Sequence, residues 1–215
     1  MIRYGVLLAA VLGLGADTVT LEVGQYTNTN TPVNQLTLVF SGTISSRAGG
    51  EYVEVLGRDC GARGDRLISG TQTTGGGSWR VEDPDSTTYP PRWNPVYSGT
   101  TFRARWKREY SAPVLWRLPA QPRVIRTPRS RVWVVHMAPA TPTGQVGFQG
   151  KTVVLQRLSP GGWVRVRSAR LVRKQSYNYE ASFRIPTHGL KLRAYLPEQS
   201  AAPCFLPGAS ATWRS

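Results

Sequence analysis

Acidic residues are scarce in this chain. Its 215 residues hold 12 Asp+Glu against 27 Lys+Arg, a formal charge of +15. An excess of that size points to an acidic partner and speaks to association, not to fold. Lysine is also rare, with only Lys107, Lys151, Lys174 and Lys191 among the cations. Two cysteines, Cys60 and Cys204, exclude a disulfide-dense mini-scaffold and allow at most one internal bridge. The 22 Gly and 16 Pro fall well short of a collagen-like or low-complexity composition. What is present is ample: 40% hydrophobic residues can build a packed core, so wholesale disorder is excluded.

The missing acids are not missing everywhere. Up to Leu118 the chain has 12 Lys+Arg and 10 Asp+Glu; beyond it are 15 Lys+Arg with only Glu180 and Glu198. The basicity therefore belongs to one half. Arginine grips phosphate and carboxylate through a planar fork, so its dominance over lysine has a functional explanation. Codon bias in a GC-rich genome, which favours Arg over Lys, is the simpler explanation.

Long apolar runs are missing too, except at the start. Met1 to Tyr4 is a short positive stretch, and Gly5 to Leu14 (GVLLAAVLGL) is apolar throughout. That run is too short to span a bilayer and has the length of an export signal. Small residues at Gly13 and Gly15 point to cleavage after Gly15, with Ala16 as the alternative, so residues 1–15 are expected to be a signal peptide and the protein to be secreted. No other segment is expected to cross a membrane.

The remainder reads as short strands between turn residues. Leu36–Phe40, Tyr52–Leu56, Thr101–Trp106, Val114–Leu118, Arg131–Val135, Thr152–Arg157, Gly162–Arg167, Tyr177–Ile185 and Leu190–Leu196 alternate with period two. No helical stripe of useful length interrupts them. The expected fold class is all-β.

The halves also repeat one another. Gly50-Glu51-Tyr52-Val53 matches Gly150-Lys151-Thr152-Val153, and Phe102-Arg103-Ala104 matches Leu192-Arg193-Ala194. Ala112-Pro113 and Ala202-Pro203 follow at the same distance in each half. A period near one hundred residues is the size of one immunoglobulin-like sandwich. Two tandem domains are expected, 16–118 with a long loop at 84–95, and 119–215, joined at the Pro119-Ala120-Gln121-Pro122 linker.

Gly150 to Arg157, Gly161-Gly162-Trp163, Val166, Tyr177 and Leu192-Arg193-Ala194-Tyr195 resemble a bacterial immunoglobulin-like repeat, close to fibronectin type III domains, of secreted actinobacterial proteins. The resemblance covers Gln121–Ser215 well and the first half more loosely. It implies an extracellular spacer or binding module, and it carries no catalytic residues or cofactor.

Several constellations fail on their spacing. Gly144 and the Gly150-Lys151 pair enclose one residue too many for a phosphate loop, and a strand follows where a helix is required. Arg63-Gly64-Asp65 spells a cell-attachment tripeptide, a motif short enough to arise by chance. His136, Met137, His188 and the cysteines are too dispersed for a copper or zinc site. No serine or cysteine sits in a nucleophile elbow, and no carboxylate pair is placed for hydrolysis, so an enzyme is not expected.

Two binding surfaces remain. Trp79, Tyr89, Trp93 and Tyr97 lie in Gly- and Pro-rich sequence, where they either plug the sandwich or stack on sugar rings. Arg165 and Arg167 alternate with valines, and Lys191 and Arg193 with Leu192 and Ala194, which places each pair on one face of a strand. If the strands share a sheet, they form a basic panel for an anionic envelope polymer. No nucleic-acid fingerprint accompanies it.

Cys60 and Cys204 fall one in each half. In an exported protein they pair, pack as thiols, or link to a partner. A bridge between them adds two hydrogens to the intact mass on reduction, and an unchanged mass would exclude it.

Overall fold

The computed structural model describes residues 18–28, 35–82, 98–127, 131–137, 147–174, 178–185 and 188–215. The expected signal peptide and the 84–95 loop lie outside the described residues. The chain divides into two compact units, one ending at Trp116 and the other beginning at Arg117. No helix among the described residues is long and apolar enough to cross a membrane.

In unit 1, strands β1 (Glu22–Asn28), β2 (Gln35–Thr43) and β5 (Ser78–Glu82) form one antiparallel sheet in the order β1-β2-β5. The second sheet runs β4 (Arg66–Gln72), β3 (Tyr52–Arg58), β6 (Thr100–Trp106), with β7 (Glu109–Tyr110) and β8 (Val114–Trp116) both on β6. Strict alternation on β6 sends Phe102, Ala104 and Trp106 inward. There they meet Leu38, Phe40 and Trp79 of the first sheet in one buried cluster. Phe40 and Phe102 pack edge to face at 4.9 Å.

Unit 2 has the same plan. Strands β9 (Arg123–Arg126), β10 (Val132–Met137), β13 (Val172–Arg173) and β14 (Tyr179–Arg184) order as β13-β14-β10-β9. Against them lies the sheet β12 (Gly162–Arg170), β11 (Thr152–Ser159), β15 (Lys191–Leu196), with β16 (Gly208–Ala209) and β17 (Trp213–Arg214) both on β15. Val135, Ala181 and Phe183 face Val153, Leu155, Leu192 and Ala194 across the core. A four-residue helix, α1 (Glu198–Ala201), is the one α-helix among the described residues.

The units repeat small devices as well as the plan. Gly50 and Gly150 both adopt positive φ (80° and 74°), which a side chain would strain, and each N–H donates to the carbonyl of Thr73 or Leu171 at 2.8 Å. The ladder slips between Val55 and Leu56 in unit 1, and between Leu155 and Gln156 in unit 2. The last strand is broken by a serine in both. Ser111 Oγ accepts from Ala104 N–H, and Ser210 Oγ accepts from Ala194 N–H, each at 2.9 Å.

Those serines correct the expected repeat. Ala112 corresponds to Ala211, not to Ala202. Ala112-Pro113 immediately precedes β8, whereas Ala202-Pro203 follows α1 in a segment inserted between β15 and β16. The 119–122 stretch belongs with unit 2: Ala120 is buried in its core, and its N–H donates to Leu206 O at 3.0 Å.

Gly42 shows how tight unit 1 is. It pairs across strands with Trp79, and a Cβ there would lie 2.7 Å from the indole and 2.0 Å from the Thr20 carbonyl. Gly42→Ala is therefore expected to cost about 1–3 kcal/mol by overpacking. A lowered denaturant midpoint at unchanged slope checks this; an unchanged midpoint would mean that the strands give way freely.

Candidate functional site: a basic sheet face in unit 2

The expected aromatic surface loses its first member. Trp79 is 2% exposed and packed in the core of unit 1, so no ring face is free for a sugar. Burial against Gly42 is the physical reason. Tyr89, Trp93 and Tyr97 lie outside the described residues. The attachment tripeptide is exposed, with the Asp65 carboxylate paired to Arg58 Nε at 2.7 Å. Lys151 donates from Nζ to Ala202 O at 3.2 Å, and a strand follows it.

The basic strands do share a sheet, with β11 between them. Their register sorts the cations. Arg165 and Arg193 both lie opposite Gln156, so these three side chains form one row on one face. Arg167 instead lies opposite Leu155, which is buried in the core. Simple alternation would keep Arg165 and Arg167 together. The β-bulge makes Val166 an extra residue, and one extra residue reverses the side to which the following side chains point. Arg167 is exposed at the edge strand but is removed from the panel.

The bulge adds other residues in exchange. Arg170 lies opposite Thr152, and Ser168 opposite Val154, both on the face of Arg165. Lys191 shares the face of Arg193 by alternation, and Arg214 joins it as the partner of Lys191. The outer face thus carries Arg165, Arg170, Lys191, Arg193 and Arg214. Sequence reasoning missed Arg170 because Ser168-Ala169 interrupts the alternating Val/Arg run. It missed Arg214 because β17 is only two residues long.

Arg193 is the ordered member. Its Nε donates to Gln156 Oε1 at 2.8 Å, and the guanidinium lies 4.3 Å from the Trp163 ring centroid and 5.7 Å from that of Tyr195. Arg165 Nη2 donates to Ser168 Oγ at 2.8 Å. Arg165, Arg170, Ser168, Thr152 and Gln199 line an open concavity of about 520 Å³ at the end of this face. A wider trough of about 710 Å³ between β9 and residues 209–213 is lined by proline, alanine and aliphatic side chains, with Arg123 its charged member.

Among the described residues, no aspartate or glutamate is paired with these five cations. The two acids of unit 2 are engaged elsewhere, Glu198 with Arg117 at 3.3 Å and Glu180 with His136 at 3.2 Å. Unit 1 differs: Arg58, Arg66, Arg80, Arg105 and Lys107 each face an acidic side chain. Hydrogen bonds that Arg105 donates to Glu54 and Tyr110 raise its pKa above its ordinary value, so its charge is fixed across the working range of pH. Both cysteines are buried.

No family model matches the chain, and no curated protein matches it.

The stacked, forked geometry of Arg193 predicts that Arg193→Ala destabilises the protein by about 1 kcal/mol. Arg167→Ala, at the exposed edge, is expected to stay within about 0.5 kcal/mol of the parent. Chemical denaturation of both variants checks the pair, and equal losses would contradict the assignment of Arg193 to a built array.

Proposed function

We propose that the chain is a secreted, non-catalytic protein of two immunoglobulin-like, fibronectin type III-like β-sandwiches. It acts as an extracellular binding module or spacer and contacts anionic envelope polymers through unit 2. One observation carries this reading: a single sheet face bears five cations without a carboxylate partner among the described residues. Such an array favours a polyanion over a neutral ligand because each neutralised anionic group releases a counterion.

Further support comes from the fold. Each unit has a β-sandwich plan in which a fourth strand, β4 or β12, extends the larger sheet. Immunoglobulin-like sandwiches vary in this way while keeping their core. The apolar N-terminal run favours export. The concavity gathers guanidiniums, hydroxyls and an amide, which hold anions and do not activate a nucleophile.

Binding of the full chain to an immobilised anionic polymer is expected to weaken steeply with salt. Log K should fall linearly with log salt, with a slope of about 0.7 per contacted charge. Arg165→Gln with Arg193→Gln should flatten that slope by about 1.4. Binding that is insensitive to salt, or a slope unaffected by the double variant, would reject the basic face as the contact surface.

A further inference from the structure

The corresponding surfaces of the two units can be compared row by row, because their registers match. In unit 1 the rows are Tyr52–Gln72, then Glu54 with Gly70 and Arg105, then Leu56 with Leu67 and Arg103. In unit 2 they are Thr152–Arg170, then Val154 with Ser168 and Tyr195, then Gln156 with Arg165 and Arg193.

The two surfaces have opposite character. In unit 1 the Tyr52 ring lies directly over Gly70, so close that a Cβ on Gly70 would fall 2.2 Å from its hydroxyl. Beside it, Glu54 neutralises Arg105. The place is filled and its charge cancelled. In unit 2, Thr152 stands where the tyrosine would be, Ser168 replaces the glycine, and Val154 replaces the glutamate. Two cations, Arg165 and Arg170, replace Leu67 and Gln72. The result is the open concavity of about 520 Å³.

Its donors are unspent. The Arg170 guanidinium, the Thr152 hydroxyl and the Gln199 amide have no hydrogen-bond partner among the described residues. Ser168 Oγ accepts from Arg165, so its own hydrogen remains to be donated. A planar carboxylate is satisfied by one guanidinium fork. Here separate donors approach from β11, β12 and α1, which suits oxygens that diverge from a tetrahedral centre. Further cations, Arg193 and Lys191, follow on the same face at steps of about 7 Å along the strand. A linear polymer with an anionic group in every short repeat would continue onto them.

We infer that this concavity is a phosphodiester-binding site, and that its ligand is a polymer of polyols linked by phosphodiesters. The site rests on the polyanion-binding role proposed for unit 2. One phosphodiester sits between Arg165 and Arg170, taking hydrogen bonds from Ser168, Thr152 and Gln199, and the next meets Arg193 and Lys191. In unit 1 Tyr52 closes the equivalent place.

The test fills the site without changing its charge. Thr152→Tyr gives unit 2 the side chain that unit 1 carries there, on the same strand position. Binding of the full-length variant and parent to poly(glycerol phosphate) is measured at fixed ionic strength. Polyglutamate and dextran sulfate of matched charge serve as comparators, and thermal melting confirms folding. Thr152→Tyr is expected to weaken poly(glycerol phosphate) binding at least about tenfold, as is Arg165→Gln with Arg170→Gln, while polyglutamate binding changes little with Thr152→Tyr. Equal binding of Thr152→Tyr and parent would overturn the site but leave the basic face in place, provided the arginine variant still loses affinity. Dextran sulfate bound as tightly, and weakened as much by Thr152→Tyr, would overturn the phosphodiester assignment. Failure of every polyanion to bind the parent would overturn both this site and the function it rests on. If Thr152→Tyr does not fold, Thr152→Val with Ser168→Ala removes the two hydroxyls at nearly constant volume. A loss below about threefold for that variant would overturn the site.

Discussion

The register of β11 against β12 governs what unit 2 can present. A strand has two faces, and packing against a second sheet commits one of them to the core. Leu155 takes that side, so whatever lies opposite it on β12 is aimed the same way. Had the ladder run on without interruption, Arg165 and Arg167 would share a face, and Arg170 would point away from both. The extra residue at Val166 divides the strand into two phases. It brings Arg165 into line with Ser168 and Arg170, and it leaves Arg167 on the other side. The composition of the basic face depends on that one-residue slip.

The same slip occurs in unit 1 between Val55 and Leu56, yet no basic face results. A shared backbone device has therefore been given two different surfaces. In unit 1, Arg105 meets Glu54 and Lys107 meets Glu51, so cations are held close to carboxylates. In unit 2 the place of Glu54 is taken by Val154, and Tyr195 stands where Arg105 would be. Arg193 keeps its counterpart in Arg103, but only Arg193 is stacked on a tryptophan. Exposed ion pairs of the unit 1 kind add little stability. Their larger effect is on the field: they leave unit 1 almost neutral, while the uncompensated cations of unit 2 set a potential that an anion can follow.

The sequence was legible where side-chain pattern alone decides the outcome. Thr101–Trp106 reads as a strand because bulky and small apolar residues alternate with arginines, and the burial of β6 follows that alternation. The all-β class follows from many such runs. Less legible were strands whose residues are polar or glycine-rich. Glu22–Asn28, Arg66–Gln72 and Ser78–Glu82 are formed chiefly by pairing with neighbours, and their own sequences give little warning. The last strand was legible in part, since Val114–Leu118 covers β8. A serine breaks it in both units, and its remaining pieces of two residues are too short for any period to register.

The candidate site divides along the same line. Arg165, Lys191 and Arg193 could be named from alternation, since any intact strand would put each beside its i+2 neighbour. Arg170, Ser168 and Gln199 could not, because their convergence requires a bulge and a short helix that no local pattern announces. Trp79 failed in the opposite direction. An aromatic in Gly-rich sequence is equally at home on a loop or over a cross-strand glycine, and only the pairing with Gly42 decides. The excess of +15 is thus not a property of the fold at all. It arises because one of two like scaffolds kept acids beside its cations and the other placed valine, serine and threonine there, which turns a structural sheet face into an accessible field of donors.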